Sequence, residues 1–210
     1  TLSELPPEGA GALPEERVVE VAELLLGVGR GEEARDRLRH LLERHPDDSD
    51  GWYVLGLCGE ALGDEALRTE AWQRTRELDR SELDRIPESE RLPEAEVEAS
   101  AEAALGELPE RARALLANVP VVIAELPAVE DVREGVDPRI LGMFVGQSYV
   151  EESHMGGHPA LTQILLFRRN LERMTSDDDT LREEIRRTLL HETGHFFGLD
   201  EAALARIGLD

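Results

Sequence analysis

The sequence lacks the cysteine pairs and the long apolar runs that would place it in several common classes of protein. Cys58 is its only cysteine, which excludes an internal disulfide framework and is typical of a reducing compartment. The longest apolar runs, such as 121–124 and 164–167, fall far short of the roughly 20 residues that a membrane-spanning helix needs. The opening residues lack a basic segment followed by an apolar one, so we expect no secretory signal in the residues shown. These absences together predict a cytoplasmic protein without a membrane partner, in which Cys58 is buried as a small apolar residue.

Positive charge is also scarce. All 23 basic residues are arginine, and they face 46 acidic residues, so the formal net charge is −23. Such acidity argues against nucleic acids and anionic membranes as partners, and it favours solubility or basic targets.

A period of 34 residues runs through the first half of the chain, where residues 15–48 align with residues 49–82. Gly29 aligns with Gly63 in this comparison. The pattern resembles the tetratricopeptide repeat, although Arg68 stands where that repeat has alanine. The resemblance implies helix–turn–helix units that either bind a protein partner or act as a spacer. Two repeats are too few for an independent solenoid, so we expect further helices to cover the exposed end.

The second half of the chain contains short runs rich in β-branched residues, over residues 119–125, 141–150 and 161–167. The second and third runs can pair as a hairpin. Tyr149, His154 and His158 lie at or in the loop between them, where each could contact a substrate. The loop is longer than a tight turn, which favours a mobile or functional segment, such as a lid.

These patterns predict an α+β protein, with all-α helical repeats followed by a small α+β domain. The net charge also changes along the chain, from −17 over residues 1–110 to −6 over the remainder. The predicted divisions are a flexible lead-in (1–14), helical repeats (15–85), a linker with a capping helix (86–107) and a C-terminal domain (108–210).

One segment near the C-terminus, His191-Glu192-Thr193-Gly194-His195, has the spacing H-E-x-x-H. Residues four apart share one face of an α-helix, so the imidazoles of His191 and His195 can close on a single tetrahedral Zn²⁺ ion. Glu192, one step around the helix, is then placed to take a proton from a water that the metal has made more acidic. The spacing therefore predicts metal-dependent hydrolysis of peptides.

The residues around this motif predict a helix over about 181–197, with an apolar stripe composed of Leu181, Ile185, Leu189 and Phe196. Thr180 and Glu183 have the spacing of a capping box at its start. Gly198 is placed to end the helix and turn the chain back over the histidines. Gly194 leaves room for the close approach of either a neighbouring element or a substrate.

A catalytic zinc usually has three protein ligands, so a third ligand is needed besides the two histidines. Only fifteen residues follow His195, which disfavours the distant glutamate ligand of thermolysin-like enzymes. Metzincins are disfavoured as well, because Glu201 stands where they have a third histidine and because every methionine lies upstream of the motif.

What remains resembles a small bacterial family of minimal zincin-like metallopeptidases, whose motif is H-E-x-x-H-x-x-G-x-x-[DE]. The resemblance covers about residues 108–210, including Ile140-Leu141-Gly142-Met143-Phe144 and the segment 181–192. It implies that Glu201 is the third ligand, with Asp200 as the alternative.

By this resemblance, His191, His195 and Glu201 hold one zinc ion, Glu192 is the general base, and the substrate is a peptide or protein. A different class of function stays open. In that alternative the chain is an adaptor or peptide-binding protein, and its zinc site is structural or catalytically idle.

Overall fold

The structure is a computed structural model that describes residues 14–146, 162–175 and 177–206. Tyr149, His154 and His158 fall outside these ranges, as do the loop predicted to join the hairpin strands and most of the predicted lead-in. Within the described ranges, no helix combines the length and apolar character required to cross a membrane.

Helices make up most of the described chain, and a small sheet accompanies them, which confirms the predicted α+β layout. The helices are α1 (Val18–Gly27), α2 (Gly31–Leu42), α3 (Ser49–Leu62), α4 (Glu65–Leu83), α5 (Glu94–Glu107), α6 (Glu110–Leu116), α7 (Val129–Glu134), α8 (Arg168–Met174), α9 (Asp178–Phe196) and α10 (Glu201–Arg206). The strands are β1 (Val121–Ala124), β2 (Gly142–Val145) and β3 (Gln163–Phe167).

The chain divides into two compact units. The first contains the described part of Thr1–Glu82 together with Val129–Pro138, and the second contains Leu83–Ala128 and the described part of Arg139–Asp210. The domain boundaries derived from the sequence remain predictions.

The first unit consists mainly of α1–α4, which lie where the 34-residue period predicts helices. Gly29 and Gly63, at equivalent positions of that period, follow α1 and α3 with left-handed φ values of +76° and +68°. A Cβ added to Gly56 would lie 2.0 Å from the Trp72 ring, so α3 and α4 approach closely there. Cys58 is buried as expected, and burial raises the pKa of its thiol to about 11. The tetratricopeptide assignment itself stays a prediction.

The second unit contains a sheet with the strand order β1-β3-β2. Strand β3 is central, parallel to β1 and antiparallel to β2. Residues Gly142 and Val145 of β2 lie opposite Leu166 and Gln163 of β3, so the predicted pairing of the second and third β-like runs is confirmed. Strand β2 is an edge strand of the described sheet, so one of its sides has no paired strand within the described residues.

Helix α9 packs against α5, β2 and β3. Its apolar stripe of Leu181, Ile185, Leu189 and Phe196 is buried, as predicted, and Val97, Ile164 and Leu166 belong to the same core as the first three. Burying each such side chain contributes roughly 1.5–3 kcal/mol, so this stripe anchors the helix and determines which of its faces stays accessible.

The predicted start of α9 is wrong by about one turn. The helix begins at Asp178, and its N-cap is Asp177, whose carboxylate accepts a hydrogen bond from the Thr180 N–H at 2.9 Å. Aspartate is as good an N-cap as serine and better than threonine, and its charge favours the positive end of the helix dipole. Thr180 therefore lies inside the first turn rather than at its cap.

Candidate metal centre

His191 and His195 lie on α9 beside its buried stripe, with side chains that are 22% and 26% exposed. Their rings are edge to face, with centroids 4.7 Å apart and planes inclined at 78°. The two Nε2 atoms face each other at 3.0 Å. Helical spacing thus brings two imidazole nitrogens to one point at the surface of the second unit.

The chain turns at Gly198, as predicted, immediately after α9. Gly198 has a φ of +81°, its N–H donates to the His195 carbonyl at 2.9 Å, and the Leu199 N–H donates to the Gly194 carbonyl at 3.0 Å. These two bonds form a Schellman motif, in which glycine is favoured because a Cβ would be strained at this φ.

The turn also orients one histidine. The Leu199 carbonyl lies 3.0 Å from Nδ1 of His195. Since a carbonyl can only accept, Nδ1 is the donor in this contact, and Nε2 is the ring nitrogen that faces His191. A backbone carbonyl behind a metal-binding histidine is a common arrangement, because it holds the ring and selects the tautomer.

Gly194 makes room for a neighbouring helix, which decides between the two alternatives left open by the sequence. A Cβ at Gly194 would lie 2.4 Å from Cδ2 of Leu204, a buried residue of α10. The missing side chain therefore lets α10 pack against α9 just behind the histidines.

Helix α10 places Glu201 and Asp200 differently. Glu201 Oε1 lies 3.2 Å from His195 Nε2 and 3.7 Å from His191 Nε2. Asp200 Oδ1 instead accepts a hydrogen bond from the Ala203 N–H at 2.8 Å, as an N-cap does. In this geometry Glu201 faces the histidines, whereas the carboxylate of Asp200 stabilises the start of α10.

His191, His195 and Glu201 form a group that could hold a metal ion, with one ligand atom each and all of these atoms within 4.8 Å of one another. Tetrahedral zinc with ligands at about 2.0–2.1 Å requires ligand atoms roughly 3.3 Å apart. The separations of 3.0, 3.2 and 3.7 Å lie close to that value. Two imidazoles and a carboxylate are also a donor set found at catalytic zinc sites, so the residues fit this ion.

Glu192 is buried, with 6% of its surface exposed, and its Oε2 accepts a hydrogen bond from the Phe144 N–H of β2 at 2.7 Å. Burial raises the pKa of this carboxyl above its usual value, against the opposing effects of His191 and of the Phe144 hydrogen bond. Glu192 therefore lies next to His191 with a raised pKa and with its orientation fixed by the hydrogen bond.

Gly142 is a residue of this site to which sequence reasoning assigned no role. A Cβ at Gly142 would lie 2.6 Å from Thr188 Cγ2, 3.0 Å from the Leu165 carbonyl oxygen and 3.3 Å from Glu192 Cγ. Strand β2 and helix α9 therefore touch at this point. A glycine within a β-like run often marks such a close approach, and this signal was present in the sequence.

Comparison with known families agrees with this site. Residues 116–209 match the family described as zincin-like metallopeptidase. The match covers less than half of the chain, and it includes Glu192 as well as the three residues of the metal-binding group. A search among curated proteins gives no match. The family match suggests a metal-dependent peptidase and implies zinc as its metal.

Proposed function

We propose that the chain is a zinc-dependent metallopeptidase that hydrolyses peptide bonds with Glu192 as its general base. The observation that carries this proposal is the convergence of His191, His195 and Glu201 beside a buried, hydrogen-bonded glutamate. The family match over residues 116–209 supports the broader part of the proposal, a metal-dependent peptidase.

In this proposal His191, His195 and Glu201 hold one zinc ion. When bound, zinc acts as a Lewis acid and lowers the pKa of a coordinated water to about 7. Glu192 takes a proton from the attacking water and later donates it to the leaving amine. The Phe144 N–H holds the carboxylate in one orientation throughout, because it occupies one of the two carboxylate oxygens.

A peptide substrate can bind in an extended conformation along the free edge of β2, which is the edge nearest Glu192. In an antiparallel pair, the residues of β2 alternate. One residue directs its backbone N–H and C=O groups towards β3, and the next directs them away from β3. Leu141 bonds to Phe167 of β3 through its carbonyl, so Gly142 and Phe144 direct their backbone groups away from β3. The Phe144 N–H already donates to Glu192, so we propose that the substrate bonds to the Phe144 carbonyl and to the backbone of Gly142, which have no other partner within the described residues.

The first prediction concerns Glu192→Gln, which removes the base but keeps the size of the side chain. We expect zinc binding to stay intact and peptide hydrolysis to fall at least about a hundredfold, because general base catalysis contributes on that scale. Zinc content by elemental analysis and turnover of a quenched-fluorescent peptide library measure the two effects.

Glu183→Gln is the matched control, since Glu183 lies on the same helix and pairs with Arg186 on the exposed surface. Full hydrolysis by the Glu192→Gln enzyme would show that Glu192 is not the base.

The alternative function is an adaptor or peptide-binding protein whose zinc site is structural or catalytically idle. A structural zinc predicts four protein ligands instead of three, which X-ray absorption of the zinc-loaded protein detects as a coordination shell without water. A catalytically idle zinc predicts metal binding without turnover in the peptide assay. Protein that takes up no zinc at all would contradict both.

A further inference from the structure

A cavity of about 350 Å³ lies beside His191 and Glu192. One of its walls is formed by Ile140, Leu141 and Gly142, at the start of β2, together with Met174. The other wall is α9, which contributes Glu184, Arg187 and Thr188 in addition to the two site residues. The cavity therefore borders the candidate metal centre at His191 and Glu192.

The α9 residues that line the cavity are spaced as one face of a helix requires, at intervals of three and four. Glu184 precedes His191 by seven residues, which corresponds to about 10 Å along the helix axis. A substrate side chain that starts near the metal centre must therefore be long to reach Glu184, as arginine and lysine are.

Glu184 is the acidic group that this cavity leaves unpaired. It is partly buried, and it has no ion pair or hydrogen bond within the described ranges. Glu183, its neighbour, instead pairs with Arg186 at 3.2 Å on the exposed side of the helix. Arg187 also lines the cavity but already engages another group. The carboxylate of Glu184 is therefore the charged group in this lining that is open to pair with a ligand.

We propose that this cavity binds an arginine or lysine side chain of the peptide substrate, next to the bond that is cleaved, with Glu184 as the residue that selects the charge. This inference rests on the proposed peptidase function. Ile140, Leu141 and Met174 contact the aliphatic stem, and Glu184 pairs with the charged end. The net charge of −23 also favours binding of a basic side chain, because it attracts positively charged substrates.

The test compares two sets of quenched-fluorescent peptides that differ only in one fixed central residue, arginine in one and citrulline in the other. Citrulline keeps the shape of arginine but carries no charge. We expect the native zinc enzyme to prefer arginine in kcat/KM by on the order of tenfold, and Glu184→Gln to abolish that preference. Glu184→Arg should lower the value for the arginine peptides further, and Glu183→Gln should leave the preference unchanged.

A preference that survives in Glu184→Gln would overturn the assignment of Glu184, and the absence of any preference in the native enzyme would overturn the whole inference. A second measurement does not depend on turnover. The same peptides are titrated into zinc-loaded Glu192→Gln protein, once with and once without the additional change Glu184→Gln. If no peptide is cleaved but arginine peptides bind in a Glu184-dependent manner, the peptidase proposal fails and the cavity assignment stands. If the peptides are neither cleaved nor bound, both fail.

Discussion

At the scale of single residues, the candidate metal centre depends on groups outside the set of proposed ligands. Gly198 accepts a backbone conformation that strains other residues, and this places the Leu199 carbonyl 3.0 Å from Nδ1 of His195. Gly194 admits the side chain of Leu204, which brings the start of α10 and Glu201 close to the histidines. Two glycines thus act on the site through the positions of other side chains.

The second prediction separates Glu201 from Asp200 as the third ligand. Glu201→Gln should lower zinc affinity more than about 100-fold, because loss of a ligand exceeds the 10- to 100-fold effect of residues behind the ligands. Asp200→Asn should leave the affinity nearly unchanged, since asparagine caps helices as well as aspartate does. Competition with a fluorescent zinc chelator measures both affinities.

The reverse pattern, with a large loss for Asp200→Asn and little change for Glu201→Gln, would assign the ligand to Asp200. Thermal melting of both variants without zinc is the control for folding.

At the scale of elements, β2 and α9 position Glu192, the proposed general base, between them. Helix α9 carries Glu192, and β2 supplies the Phe144 N–H that orients it. The two elements come close enough for this contact only because Gly142 has no side chain, as the distance of 2.6 Å from its ideal Cβ to Thr188 Cγ2 shows.

The third prediction follows from that contact. Gly142→Ala should destabilise the second unit by about 1–3 kcal/mol through overpacking. It should also lower kcat by on the order of 100-fold with a smaller change in KM, because a displacement of about 1 Å at a catalytic group can have that effect. Steady-state kinetics and chemical denaturation measure the two changes.

Thr188→Ser removes the methyl group nearest to the added Cβ, so the double variant should regain part of the lost kcat. Exchange of the Phe144 amide hydrogen supplies a measurement that needs no substrate, and it should be faster in Gly142→Ala than in Thr188→Ser. Equal protection of this amide in both variants would contradict a positioning role for Gly142.

At the scale of the whole molecule, the two units carry different spectroscopic probes. Both tryptophans, Trp52 and Trp72, belong to the first unit, and the candidate metal centre belongs to the second. Tryptophan fluorescence therefore follows the unfolding of one unit, and circular dichroism follows both.

The fourth prediction is that zinc stabilises the second unit. At 100 times the dissociation constant, a ligand that binds only the folded state adds about 2.7 kcal/mol to the free energy of unfolding. We expect zinc to raise the midpoint of an unfolding transition that is followed by circular dichroism, and a chelator to lower it again. The midpoint of the transition that is followed by tryptophan fluorescence should not change.

Glu201→Gln supplies the control, since zinc should change the midpoints of its unfolding transitions only slightly. An equal shift of both transitions would show that the two units unfold together, and no shift in either would contradict zinc binding by the folded chain.

Local patterns determined much of this architecture. The apolar stripe of α9 has the helical period, so it predicted both the helix and its buried face, and the spacing of His191 and His195 placed their rings on one side. Gly198 marked the end of the helix because its φ is specific to glycine. The start of α9 was misplaced because Asp177 and Thr180 are both capping residues, and only their backbone geometry distinguishes them.

The sequence by itself determined the class of secondary structure, the pair of histidines and the residue types able to bind zinc, because these depend on neighbours within about two helical turns. Only the tertiary structure decided that Glu201 faces the histidines while Asp200 caps α10, and that Gly194 accommodates Leu204. It also decided that the Phe144 N–H orients Glu192 across 48 residues of chain. Contacts of this kind depend on how separate elements pack, and no local period or spacing encodes that packing.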